Sequence, residues 1–282
     1  MKVFLYGAKG SVSSGIQKLL QKDGHKVFAG TRNPESETNS DLIQWVFADA
    51  KQVSQGLEIL DSVESVFLMS PPGLTNQYEI LAPWIEKAKN INLKKIVLMT
   101  AMGVEFAPQE SPFRKTEILL ENSGLNWNII RPNWFMQNFH TYWLEGIKKD
   151  SKLYFPGGKA KASFIDVKDI ANVAKVLLTT NEYNNTAFTI TGNESLSHEE
   201  VAEKISKVTK NKIEYVDVDP SAFENSLINA GLSKDYAAFM RMIAQALKDG
   251  HAEAITDSVE KITGSKPNSF SDYVNENAKA WN

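Results

Sequence analysis

The sequence predicts an α/β protein built on a doubly wound parallel sheet, and three observations carry that reading. Short apolar runs of strand length recur through the first half of the chain, helix-like patterns lie between them, and a glycine-containing turn links the first run to the first helical pattern. The runs are apolar almost throughout rather than alternating, as suits strands covered on both faces.

The expected strands are Val3–Tyr6, Lys26–Gly30, Ile43–Phe47, Ser65–Met69, Lys95–Thr100 and Trp127–Arg131. Between the first two, Val12, Ile16, Leu19 and Leu20 fall on one face of a helix, and Tyr78, Leu81, Ile85 and Ala88 do so further on. The stretch from Ser111 to Gly124 carries its own boundaries. Ser111 suits an N-cap, Pro112 the first turn, and Gly124 the position just past the end.

Beyond Phe135 the regularity weakens. Gly157 and Gly158 mark a turn, Val167–Leu178 reads as a helix and Ala187–Thr191 as a strand. Ser197–Lys210 reads as a helix opened by a capping box, with Glu200 three residues after Ser197. Ile213–Val218 suits a strand, and the remainder to Trp281 reads as mostly helical. The division expected is a dinucleotide-binding domain over residues 1–150 and a small, mostly helical C-terminal substrate lobe over 151–282, sharing elements with the core.

Composition excludes several classes of function. The 282 residues are 42% hydrophobic and 23% charged, with a formal charge of -3, so neither a nucleic-acid nor a membrane surface is expected. No cysteine is present, which rules out disulfides, thiolate metal sites and cysteine nucleophiles. His25, His140, His198 and His251 have no metal-ligand spacing. The N-terminal stretch lacks the apolar length and cleavage site of a signal peptide, and no segment reaches membrane-spanning length, so the expected location is the cytoplasm.

Gly7-Ala8-Lys9-Gly10-Ser11-Val12-Ser13 follows a strand and opens a helix, the setting that a phosphate-binding turn requires. Gly7 permits the tight turn and Gly10 the close approach of a pyrophosphate. The amides of Ser11 and Val12 then face the anion, and Ser13 stands where a third glycine is usual. This is the Rossmann pattern. The end of the second strand chooses between cofactors. An NAD site carries Asp or Glu there for the ribose 2′-hydroxyl; here the sequence is Gly30-Thr31-Arg32-Asn33-Pro34. The planar guanidinium of Arg32 suits a 2′-phosphate, so NADP(H) is expected in preference to NAD(H).

GAKGSV, GTRNP, Lys115-Thr116-Glu117 and the block SGLNWNIIRPNWFMQN together resemble the NmrA-like family of atypical short-chain dehydrogenases/reductases, most closely its triphenylmethane reductase and type 2 quinone reductase branch. The segment from Ser221 to Gly250 resembles that branch too. The resemblance implies a Rossmann domain, a small C-terminal lobe and NADP(H) in the cleft between them. By position, it implies that Met69, Ser70, Pro71, Thr100, Ala101 and Met102 line the ribose and nicotinamide, and that Lys115 approaches the nicotinamide ribose. It implies that Pro132, Asn133, Trp134 and Phe135 shape the nicotinamide face and substrate pocket, and that Asp49 sits near the adenine.

Typical members of the wider superfamily use Tyr-x-x-x-Lys, in which the tyrosine protonates a developing alkoxide. Four residues before Lys115 stands Ser111, a poor acid better explained as a helix cap. Acceptors that need no such help are conjugated: quinones, cationic dyes and iminium ions. Trp134, Phe135, Phe139, Tyr142 and Trp143 are the aromatic candidates for holding a flat substrate, and each is also a candidate for the core. His140 is a candidate proton donor alongside Lys115, with Tyr142 and Tyr154 as further donors to weigh. The expected function is an NADPH-dependent reductase of a small aromatic or conjugated electrophile. The alternative is a non-catalytic NADP(H)-binding redox sensor acting through a protein partner. A second copy of the chain remains open as a partner.

Overall fold

The computed structural model describes residues 1–281. In chain order its strands are β1 (Lys2–Leu5), β2 (Lys26–Thr31), β3 (Ile43–Phe47), β4 (Ser65–Met69), β5 (Lys95–Met99), β6 (Trp127–Pro132), β7 (Lys152–Phe155), β8 (Lys161–Ala162), β9 (Thr186–Ile190), β10 (Leu196–Ser197) and β11 (Glu214–Asp217). The helices are α1 (Ser11–Lys22), α2 (Gln77–Asn90), α3 (Pro112–Glu121), α4 (Leu144–Asp150), α5 (Val167–Thr179), α6 (His198–Thr209), α7 (Pro220–Asn229), α8 (Lys234–Lys248), α9 (Ser258–Thr263) and α10 (Phe270–Glu276).

The chain forms two compact units, one of Met1–Pro132 with Ile170–Thr189, the other of Asn133–Asp169 with the chain from Ile190. In the first, the sheet runs β3-β2-β1-β4-β5-β6-β9. The six strands from β1 to β6 pair in parallel, with Phe4 opposite Phe28 on one side and Val66 on the other. This is the Rossmann-type α/β sheet. The chain leaves β1 in one direction along the sheet and returns to β4 on its other side, a reversal that opens a crevice at the carboxyl ends of these strands.

Burial explains why the strands are apolar from end to end. Val3, Phe4, Leu5, Val66, Phe67 and Leu68 are all buried, as are Ile16 and Leu20 on α1 and Leu81, Trp84 and Ile85 on α2. Helices on both faces leave the central strands β4 and β5 almost wholly buried, while β3 at the sheet edge is part-exposed. Phe4 stacks on Trp84 at 4.9 Å, and Tyr6 meets the same indole edge-on at 5.4 Å. Three of the six foreseen strands differ from the observed ones by one residue at one end, the first is shifted by one residue at both ends, and Ile43–Phe47 and Ser65–Met69 match at both.

The second unit has an aromatic core. Phe139, Phe155, Phe164, Phe270 and Tyr273 are fully buried, with Trp134 and Trp143 packed against them. Parallel β7–β11 and antiparallel β8–β10 are its two small sheets. The capping box of α6 is present: Glu200 N donates to Ser197 Oγ at 3.1 Å, and Ser197 N to Glu200 Oε2 at 2.7 Å. β7 was not foreseen, because Lys152-Leu153-Tyr154-Phe155 is too short a run to separate from the turn that follows. No helix among the described residues is long and apolar enough to cross a membrane.

Candidate cofactor site

The turn between β1 and α1 has the geometry a dinucleotide needs. Gly7 adopts φ +62°, in the left-handed region that favours glycine. Gly10 N donates to Gly7 O at 2.9 Å, closing the turn, and Ala8 N donates to Gly30 O at 2.9 Å, tying it to β2. A Cβ on Gly10 would lie 3.2 Å from Gly7 O, so a side chain would crowd the surface the turn presents. Gly10 is also the N-cap of α1 and makes no side-chain cap bond. The first amides of the helix therefore lack the usual internal acceptor and can receive an anion. Ser13, at the place of a third glycine, is fully buried, and its hydroxyl donates to Tyr6 O at 3.1 Å. A small hydroxyl thus fits the close helix–strand contact because the strand offers it an acceptor. These features fit a pyrophosphate group.

Thr31 ends β2 and is half-buried, and Arg32 beyond it is exposed, with no ion pair among the described residues. Lys9 pairs with Glu37, which follows a short turn after Asn33. Sequence reading did not single out Glu37, since an acid beyond the end of the second strand looks like any solvated surface residue. Asp49, half-buried past β3, accepts from Lys51 N at 3.1 Å. Burial, with the Asp49 charge adding to it, pushes the Tyr6 hydroxyl well above its usual range.

At the carboxyl ends of β4 and β5, Met69, Ser70, Pro71, Ala101 and Met102 are part-exposed except for what the neighbouring turns cover. Met102 N donates to Pro132 O at 3.0 Å. Thr100 is buried, and its hydroxyl donates to Glu117 Oε1 at 2.7 Å. Glu117, fully buried on α3, also receives Arg131 and Arg114. Thr100 therefore offers the crevice its backbone, while its hydroxyl hydrogen is already committed. The charged cluster behind it was not read from the sequence, because a Glu and two Arg on a helix and strand resemble a solvated face.

Lys115 lies one turn along α3 from Ser111. Its ammonium is 3.1 Å from Glu110 and 4.8 Å above the Tyr78 ring, and the hydrogen bond it donates to Glu110 raises its pKa. Ser111 holds the N-cap position but makes no cap bond, and its buried hydroxyl has no partner among the described residues.

The remaining residues singled out by sequence lie in the second unit, apart from Pro132, which closes β6. Asn133 is tied down there: its amide nitrogen donates to Ser163 Oγ and Ala252 O, both at 2.8 Å, and its oxygen accepts from Trp134 N. Trp134 stacks on Trp143 at 6.3 Å, and Phe135 is half-buried. Phe139 is a core residue, and Tyr142 is largely exposed. His140 Nδ1 is 2.5 Å from the Tyr273 hydroxyl; burial lowers the pKa of the imidazole. Tyr154 OH reaches Asp150 at 3.3 Å.

The profile of the NmrA-like family matches residues 1–274. The chain belongs to the NmrA-like family. Among its relatives, the NAD(P)H azoreductase of Xenophilus azovorans is 28% identical over 287 aligned positions, covering 99% of each chain. Two solved structures share the fold of this NmrA-like chain. The NADPH-dependent quinone oxidoreductase of Escherichia coli, complexed with NADPH, has a TM-score of 0.86 at 18% identity, covering 98% of this chain and 99% of the other. The Citrobacter triphenylmethane reductase complexed with NADP(H) has a TM-score of 0.85 at 20% identity, with the same coverage.

Proposed function

We propose that the chain is an NAD(P)H-dependent reductase that prefers NADPH and passes hydride to a conjugated electrophile: a quinone, an azo or triarylmethane dye, or an iminium ion. The observation that carries the reading is the Gly7–Val12 turn opening α1, tied to β2 through Ala8 N and Gly30 O, with Arg32 two residues on exposed and without an ion pair among the described residues. Family membership and relatives named for azo, quinone and dye reduction support the reaction class.

In this reading the amides of Ser11 and Val12 hold the pyrophosphate, Arg32 holds the 2′-phosphate, and Thr31 and Asp49 flank the adenosine. Bound NADPH supplies a hydride from its nicotinamide. Met69, Ser70, Pro71, Ala101 and Met102 line the ribose and nicotinamide, the last two on a turn that Thr100 and Glu117 brace from behind. Lys115 reaches the nicotinamide ribose by leaving Glu110. Trp134 and Phe135 are the aromatic surface proposed to meet the acceptor.

Ser111 cannot supply an acid of tyrosine strength, which favours acceptors whose reduced form is not a strongly basic alkoxide. A cationic dye or iminium ion is neutralised by the hydride itself, a quinone draws its protons from water, and an azo bond takes one proton from water beside the hydride. Tyr273 occupies His140 Nδ1, so only Nε2 is left to face a substrate, and it carries a proton to give when the Tyr273 hydroxyl donates to Nδ1.

The test is acceptor-dependent NADPH oxidation by the purified protein with a quinone, an azo dye and a triarylmethane dye. Turnover of at least one acceptor supports the reductase. Tight NADPH binding with none consumed above background transfers the assignment to a redox sensor.

A further inference from the structure

Lys9 and Glu37 lie far apart in sequence, yet the fold pairs them at the edge of the glycine turn. Glu37 is the better held of the two. Its side chain is 18% exposed against 58% for Lys9, and Ser36 Oγ stands 3.2 Å from the same carboxylate oxygen. The short turn that carries it is closed by Glu37 N donating to Pro34 O at 3.1 Å. The bond from Lys9 holds the Glu37 carboxyl below its usual range, so it is ionised at neutral pH. The turn is tied to β2 through Ala8 N and Gly30 O, two residues before Arg32. Two cations and one anion are thus anchored to the same end of β2.

We infer that Glu37 is a specificity-determining residue of the cofactor site, competing with the 2′-phosphate for Lys9 and so limiting the preference for NADPH over NADH. The inference rests on the cofactor reading above. A 2′-phosphate brings strong negative charge to Arg32, and Lys9, on a flexible stem, can reach that charge by giving up Glu37. Binding then carries the loss of an ion pair and the repulsion of a carboxylate left beside a phosphate. A ribose hydroxyl has neither penalty and can donate to the carboxylate, as it does to the acid of an NAD site. The same side chain opposes one cofactor and tolerates the other.

The experiment is fluorescence titration with NADPH and NADH at low ionic strength, using wild type, Glu37→Gln, Glu37→Asp, Lys9→Gln and Arg32→Ala. Thermal melting of each free protein checks the fold. Glu37→Gln is expected to tighten NADPH about threefold to fivefold, in keeping with a part-exposed pair, and to leave NADH unchanged or weaker. Glu37→Asp, which keeps the charge, stays near wild type, and Lys9→Gln weakens NADPH selectively. Salt narrows the gain from Glu37→Gln, because the effect is electrostatic. An equal change in both cofactors, or none, overturns the inference while leaving the cofactor reading standing if Arg32→Ala still weakens NADPH selectively. If wild type binds NADPH no tighter than NADH and Arg32→Ala changes neither, both fall.

Discussion

Arg131 meets Glu117 through two hydrogen bonds inside the first unit, Nε to Oε1 at 2.9 Å and Nη2 to Oε2 at 2.8 Å. Glu117 is fully buried, and Arg131 nearly so. Thr100 and Arg114 complete the shell of the carboxylate, so every strong acceptor site faces a donor. The pair fixes α3 to β6, and through Thr100 it fixes the turn after β5, where the reading above places the nicotinamide.

Removing one member of such a pair strands the other in a medium that solvates it poorly. Glu117→Gln is expected to lower the unfolding free energy by about 3 kcal/mol, since breaking a buried pair costs more than the pair contributes. Urea denaturation at neutral pH measures it; a loss under about 1 kcal/mol would mean that Glu105, 3.4 Å from Arg131 Nη1, or water takes over the charge.

The two turn glycines separate folding from binding. Gly7→Ala should cost about 1 kcal/mol of stability, because alanine resists φ +62°. Gly10 has φ -66° and ψ 153°, which alanine accepts. Gly10→Ala should therefore cost less stability than Gly7→Ala, only what a Cβ 3.2 Å from Gly7 O demands, yet weaken NADPH about tenfold by crowding the pyrophosphate. Calorimetry and titration on the same samples distinguish the two.

Asp169 gives one pH-dependent signature. Burial pushes its pKa up to about 6 against an ordinary 3.8, although Asn268 N donates to it at 2.8 Å. Between these values the folded protein binds the proton and the unfolded chain does not, so this group's contribution falls as pH rises. Relative to Asp169→Asn, wild type should lose about 2 kcal/mol between pH 4 and pH 6 and little beyond. Parallel stability curves for the two proteins would contradict this.

His198 tilts the other way. It is fully buried, stacked on Phe155 at 4.4 Å, with no hydrogen-bond partner at either ring nitrogen among the described residues. Burial holds its pKa down at about 3, so the folded protein keeps it neutral while the unfolded chain takes up a proton below about pH 6.5. Stability from this group is lost as pH falls. From pH 7 to pH 5 wild type should lose about 2 kcal/mol more than His198→Phe, measured by urea titration at each pH.

The sheet was legible because its strands are buried on both faces, which writes continuous apolar runs such as Ser65–Met69 into the sequence. The capping box at Ser197 was legible because it is local. Pairings between distant elements were not. Glu117 with Arg131 and Lys9 with Glu37 join residues on different elements, and their charges read as solvated until the fold covers or aligns them. Ser111 shows the limit of a local rule, since it occupies the N-cap with the right backbone and makes no cap bond. His198 marks another: it looks like an ordinary first-turn residue until five aromatic rings close around it.

The central claim, that the turn and Arg32 form an NADPH site, is tested most directly by titrating wild type and Arg32→Ala with NADPH and with NADH. A charged hydrogen bond to phosphate predicts that NADPH binds wild type more tightly and that Arg32→Ala loses about tenfold to a hundredfold of that affinity, with NADH unaffected. Equal affinity of wild type for the two cofactors, or an equal loss for both in the variant, would contradict it.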